Sequence, residues 1–163
     1  MVLIFNAGQS ERFRAVIGAF IGLMLVLTTA KYLGELNGLD EWLMASLGAS
    51  ALLVFALPGS PMAQPWAVIA GNTLSALVGI SVLHVVGEPL LAMPLAASIS
   101  ILGMFVLRCL HPPAAAVSLI VVLGNVMHYR YAFFPVMIDS ALLILAGAAY
   151  GNLTGKRYPN RPN

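Results

Sequence analysis

The chain has 163 residues, 60% of them hydrophobic and 9% charged, with a net charge of +2. A soluble domain carries roughly a quarter charged residues, so this composition excludes an ordinary water-facing surface and points to a polytopic membrane protein. The small net charge comes without a Lys/Arg block or an aromatic ladder, which sets nucleic acid aside as a partner.

Six apolar segments follow in chain order, at about 14–33, 42–57, 66–86, 90–107, 112–126 and 133–152. Several approach the about 20 residues that a helix needs to cross a bilayer core, while the second and fifth are short for a full span. The expected fold is therefore an all-α bundle of about six hydrophobic helices, two of them short. One membrane domain is expected over 1–163, with its core at about 14–153 and short polar termini.

The first segment follows Arg12 and Arg14, a layout shared by secretory signals and first spans. Its apolar run is longer than a signal's, and Lys31-Tyr32-Leu33 is a poor cleavage site, so it reads as a retained helix. With six spans, Arg12, Arg14, Arg108, Lys156, Arg157 and Arg161 share one side, which the positive-inside rule makes cytoplasmic. Lys31 and Arg130 fall opposite, and the first external loop carries Glu35, Asp40 and Glu41. Both termini are expected inside. A bacterial inner membrane is the default location, with a processed organelle protein as the alternative. Trp42, Trp66, Tyr129 and Tyr131 stand at segment edges, where amphipathic rings anchor.

Two proline motifs break the apolar pattern. Ala56-Leu57-Pro58-Gly59-Ser60-Pro61-Met62-Ala63 leads into a segment containing Gly71-Asn72, and Cys109-Leu110-His111-Pro112-Pro113-Ala114 leads into one containing Gly124-Asn125. The spacing is similar enough to suggest a weak internal repeat of two parallel units. Proline is tolerated in a first helical turn and pushes the preceding residue out of the helix, so Ser60-Pro61 and His111-Pro112 read as helix starts. Ser60 and His111 are then candidate N-caps. Helix starts offer unpaired backbone N–H groups and positive dipole ends, an environment suited to an anion. The candidate substrate-binding set is Ser60, Pro61, Gln64, Asn72, Arg108, His111, Pro112, Pro113 and Asn125.

For His111 a purely structural cap competes evenly with a functional role. His84 is expected to pack near an outer helix end and His128 to sit in a short external loop. Neither has a partner at metal-ligand spacing, so no metal and no cofactor is expected. Cys109 has no second cysteine to pair with and reads as a packing residue. Asp139, about two turns into the last segment, is costly in a membrane; it either pairs with Arg130, the favoured reading, stays protonated, or relays protons. The small residues Gly18/Gly22, Gly71/Ser75/Gly79 and Gly147/Gly151/Gly155 recur every fourth position and suit close helix packing, within the chain and in a homo-oligomer. The scattered methionines read as gap-fillers.

His111-Pro112-Pro113, together with the upstream Ser60-Pro61-Met62-Ala63-Gln64-Pro65, resembles the HPP family of integral membrane proteins over roughly 15–153. Gly71-Asn72 stands where that family often has Gly-His, which leaves no second imidazole there. The resemblance implies at least four membrane helices and a link to nitrite transport, in which plastid and cyanobacterial members are implicated. It also leads us to expect that this chain lacks the cytosolic domain added in some relatives. A transporter or channel for a small inorganic anion, nitrite first and nitrate second, is the leading expectation, with membrane lipid as the surrounding partner. The alternatives are an intramembrane enzyme using His111 and Asp139 and a noncatalytic scaffold or sensor.

Overall fold

A computed structural model describes residues 8–36 and 46–159. Asp40, Glu41, Trp42 and Arg161 lie outside the described residues. Helix α1 spans Gln9–Leu36, α2 Leu47–Ala56, α3 Pro65–Val86, α4 Pro89–Val106, α5 Pro112–Leu123 and α6 Ile138–Leu153. A three-residue 3-10 turn at Pro61–Ala63 precedes α3, and a π-helical segment at Ala132–Met137 runs into α6. Four of these stretches are long and apolar enough to cross a bilayer: Gln9–Glu35, Pro65–Val86, Pro89–Val106 and Ala132–Leu153. The shorter pair, α2 and α5, are the second and fifth segments, with 10 and 12 residues. The protein is an all-α integral membrane protein.

Proline writes the helix starts. Pro65, Pro89 and Pro112 each occupy a first helical position, where a missing N–H costs nothing. Glu88 completes the start of α4 by accepting a 3.0 Å hydrogen bond from the Leu91 N–H. Three local features refine the expected boundaries. The first Pro-led unit opens only the 3-10 turn at Pro61, and the long helix waits for Pro65. The fifth segment stops at Leu123 because Asn125 turns left-handed, with φ 51°. The sixth is not one uniform helix, since Pro135 forces Phe134 into an extended conformation, φ −135° and ψ 121°.

Long-range hydrogen bonds fix how the helices stand. Tyr150 donates to the Arg14 carbonyl (2.9 Å), and Arg14 Nη2 donates to the Phe55 carbonyl (3.3 Å). The start of α1 therefore meets the ends of α2 and α6. Lys156 pairs with Glu11 at 3.1 Å on the same end, and Trp66 Nε1 donates to the Leu107 carbonyl (3.1 Å), bringing the start of α3 to the end of α4. Arg14, Arg108 and Lys156 thus gather at one end of the bundle.

Glycine lets these helices touch. Gly18 and Gly22 seat the Phe55 ring, Gly147 faces Val54 and Tyr158, and Gly151 lies against the Lys156 carbonyl. Gly71 lies against Cys109, His111 and Ala114, and Gly79 against Ser118 and Val121, so α5 runs parallel to α3. These small faces are occupied by this chain's own atoms. Gly155 falls outside α6, in a turn with φ 73°. The two Pro-led units run parallel, yet their Gly-Asn pairs are not equivalent: Asn72 lies within α3 and Asn125 beyond the end of α5. Large apolar side chains such as Phe13, Phe20, Leu102 and Phe105 are left on the outer faces of α1 and α4, as expected where the solvent is hydrocarbon.

Candidate functional site

His111 is held in an extended conformation (φ −134°, ψ 99°) by the proline that follows it, and its side chain makes no cap hydrogen bond to α5. The ring reaches across the bundle instead. Its Nδ1 lies 2.8 Å from the Met62 carbonyl and its Nε2 lies 2.8 Å from Ser50 Oγ on α2. A carbonyl only accepts, so Nδ1 carries the hydrogen, and in the neutral ring Nε2 accepts from the Ser50 hydroxyl. The residue is fully buried. Gly71 makes this possible: a Cβ there would sit 3.0 Å from both His111 Cβ and the Cys109 carbonyl oxygen.

The start of α5 is the expected anion site. Pro112 and Pro113 have no N–H, and the Ala114 N–H is already bonded to the His111 carbonyl at 2.9 Å. Few first-turn donors remain there for an anion. The Ser60 hydroxyl does cap its turn, accepting from the Met62 N–H at 3.3 Å. Gln64 Nε2 donates to the Pro58 and Ser60 carbonyls at 2.9 Å each, which shapes the loop and leaves Gln64 Oε1 buried without a partner among the described residues. The first-turn N–H groups of α3 belong to Trp66 and Ala67, because Pro65 has none.

Beside that turn lies a groove of about 280 Å³, lined by Pro61, Met62, Ala67, Met104, Phe105, Arg108 and Leu110. Arg108 is exposed and adopts a left-handed backbone, φ 53°, where the chain reverses after α4. Met62 serves both sides of the wall. Its side chain lines the groove while its carbonyl holds the buried His111 ring.

Behind the wall is a buried layer of polar side chains. Asn72 Nδ2 donates to Ser140 Oγ at 3.0 Å, joining α3 to α6. Ser50, Asn72, Ser75, His111, Asp139 and Ser140 are all completely buried. Asn72 Oδ1, Ser75 Oγ and both carboxylate oxygens of Asp139 have no hydrogen-bond partner among the described residues. Asp139 therefore does not pair with Arg130, and His111, bonded to Ser50 and Met62, does not form a dyad with Asp139. Asn125 is exposed past α5 and stands apart from this layer, as do Pro61 and Pro112, which are also exposed. Asn72, His111 and Asp139 are the anticipated residues that the fold buries in it.

Ser50, Ser140 and the Met62 carbonyl escaped the sequence reading, and Ser75 enters it only as a small packing residue. Ser46 and Ser50, one turn apart in an otherwise apolar stretch, were the available signal for a polar face on α2. At the opposite end of the bundle, His84 stacks on Tyr129 with centroids 5.7 Å apart and contacts the Ile80 carbonyl at 2.8 Å. Cys109 is buried beside Met104 and Ala114.

A third attachment underlies the wall. After α6 the chain folds back, and the Tyr158 hydroxyl donates to the Ala63 carbonyl at 2.7 Å. Burial raises the pKa of this phenol. The C-terminal segment thus braces the same 3-10 turn that holds His111.

A family profile described as "HPP, transmembrane region" matches residues 6–159. Two curated proteins of Dictyostelium discoideum, each described only as a transmembrane protein, are 34% identical over 151 residues. The match covers 88% of this chain, and 48% of one relative and 53% of the other. The chain thus spans about half the length of the curated relatives it matches. No solved structure matches. The profile covers almost the whole chain, including both proline motifs and the buried layer behind them, and on that ground the chain belongs to the HPP family of integral membrane proteins.

Proposed function

We propose that this protein carries a small inorganic anion across the membrane, nitrite first and nitrate second, through the wall between the Arg108 groove and the buried His111 layer. The observation behind this reading is the double role of Met62. One residue of a three-residue turn separates a basic groove from a buried polar layer, so a small displacement of that turn would connect them. Arg108 and the first turn of α3 would attract and orient the anion at the mouth. Displacing the turn would free the His111 Nδ1 hydrogen from Met62, and this donor with the second amide hydrogen of Asn72 would replace part of the anion's hydration inside, as neutral donors that permit release. The nitrite link of other HPP members supports the choice of ion.

The cationic end of the bundle faces the cytoplasm in this reading, which places both termini inside, in a bacterial plasma membrane. Residues 1–163 act as one membrane domain, and copies associate in the bilayer. Uptake of nitrite by proteoliposomes tests the reading directly. Wild-type vesicles are expected to fill faster than empty ones under a pH gradient or a voltage, and His111→Ala is expected to slow them. Vesicles no leakier than protein-free controls under both conditions would overturn it.

A further inference from the structure

Asp139 is a carboxylate inside a membrane bundle, completely buried, with neither oxygen hydrogen-bonded among the described residues. An ionised carboxylate in such a place needs positive charge close by. The cations among the described residues are engaged elsewhere or lie at the surface. Arg14 and Lys156 pair with Glu11, Arg108 and Arg130 are exposed, and both nitrogens of His111 are bonded to Met62 and Ser50.

The surroundings supply oxygen acceptors. Asn72 points its amide nitrogen at Ser140, the residue next to Asp139, and this leaves Asn72 Oδ1 without a donor. Ser75 lies three residues further along α3, its hydroxyl also unpartnered and buried. Four buried side-chain oxygens on three residues of α3 and α6 thus lack partners, and the Asn72–Ser140 bond joins the two helices beside them. A proton on Asp139 would join only two of them, whereas a hard cation binds several oxygens at once. Among the described residues no group of three or more His, Cys, Asp or Glu is present, so the chemistry does not suit a transition metal.

The backbone agrees with this choice. α6 is preceded by the π-helical segment Ala132–Met137, interrupted at Phe134, and Asp139 is the second residue after it. Asp139 is the eighth residue of the Ala132–Leu153 span. Interrupted membrane helices are where transport proteins expose backbone and side-chain oxygens to ions.

We propose that Asp139, Asn72 and Ser75 form a binding site for a small alkali cation, Na⁺, between α3 and α6. The site stands on binding alone. Where it rests also on the transport reading, Na⁺ beside a monoanion would make the carried pair electrically neutral, which lowers the cost of crossing hydrocarbon.

Thermal unfolding of the purified protein in detergent, at constant ionic strength with NaCl replaced stepwise by choline chloride, tests the site. Saturating Na⁺ is expected to raise Tm by about 4 °C. Asp139→Asn should abolish the rise. Because that variant also removes a buried charge and is liable to fold differently, Asn72→Ala and Ser75→Ala provide the second readout, each shifting the Na⁺ midpoint upward by about tenfold. Direct binding of radioactive Na⁺ should follow the same order. Identical Tm values in NaCl and choline chloride at every pH from about 5 to about 8 would overturn the proposal, as would a Tm that follows pH alike in both salts, the mark of a protonated carboxylate. A protein that ignores Na⁺ yet carries nitrite leaves the transport reading standing. One stabilised by Na⁺ without nitrite flux does the reverse.

Discussion

His111 and Ser50 stand 61 positions apart in sequence and are joined by a 2.8 Å hydrogen bond in the interior of the bundle. Ser50→Ala removes one donor and leaves a buried ring nitrogen unsatisfied, at a cost of about 1–3 kcal/mol. His111→Ala loses both of its bonds and opens a cavity as well, so it should lower Tm further. Since the serine serves the imidazole, adding Ser50→Ala to His111→Ala should cost much less than it does alone. Additive losses in thermal unfolding would show that Ser50 acts independently.

Close packing at Gly147 makes a second expectation. A Cβ at this position collides with Val54 Cγ1 and lies 3.2 Å from the Tyr158 ring, so Gly147→Ala should destabilise the protein by about 1–3 kcal/mol. Val54→Ala in the same background should restore part of the loss. Gly48 has nothing within 4 Å of its would-be Cβ, and Gly48→Ala should leave Tm unchanged or raise it slightly. The contrast separates helix contact from a general intolerance of alanine.

How much of this was legible follows from which interactions are local. Proline positions and apolar run lengths act within a few residues, so the six segments, the short second and fifth helices and the Pro112 start could all be read directly. The end of α5 was also within reach, because Gly124-Asn125 is a common helix-stop signal and Asn tolerates the left-handed φ. Its resemblance to Gly71-Asn72 invited the wrong comparison. What could not be read was the choice of partner. His111 looked like a local cap but bonds residues 49 and 61 positions away. Asp139 looked matched to Arg130 by proximity in sequence, yet the interruption at Phe134 lies between them. Two consecutive Pro-led starts, Pro61 and Pro65, are each locally acceptable, and tertiary contacts decide which opens the long helix.

The Tyr158 attachment predicts an alkaline limit. Burial raises the phenol's pKa above its ordinary value in the folded protein, so the neutral form is favoured by folding. The corresponding stability is complete below the unfolded pKa of about 10 and is lost as pH rises from there toward the folded value. Tyr158→Phe should lower Tm at neutral pH by removing the bond to Ala63, and should flatten the decline above about pH 10. An unchanged alkaline decline would assign it to the other tyrosines.

Arg108 allows the charge at the groove to be tested without damage to the fold. Its left-handed backbone, φ 53°, is a conformation glycine adopts freely and other residues adopt at a cost. Arg108→Gly should therefore leave Tm unchanged or raise it while removing the guanidinium from the mouth. If Arg108 attracts the anion, nitrite uptake below saturation should fall about tenfold in this variant, the loss expected for one charge-assisted contact. Raising ionic strength should slow the wild type more than the variant, since screening acts on a charge that the variant no longer has. Arg108→Lys should keep part of the rate, with a point charge replacing a planar one. Equal uptake by wild type and Arg108→Gly across the salt range would remove Arg108 from the pathway, and because the substitution relieves backbone strain, a lower rate could not be ascribed to unfolding.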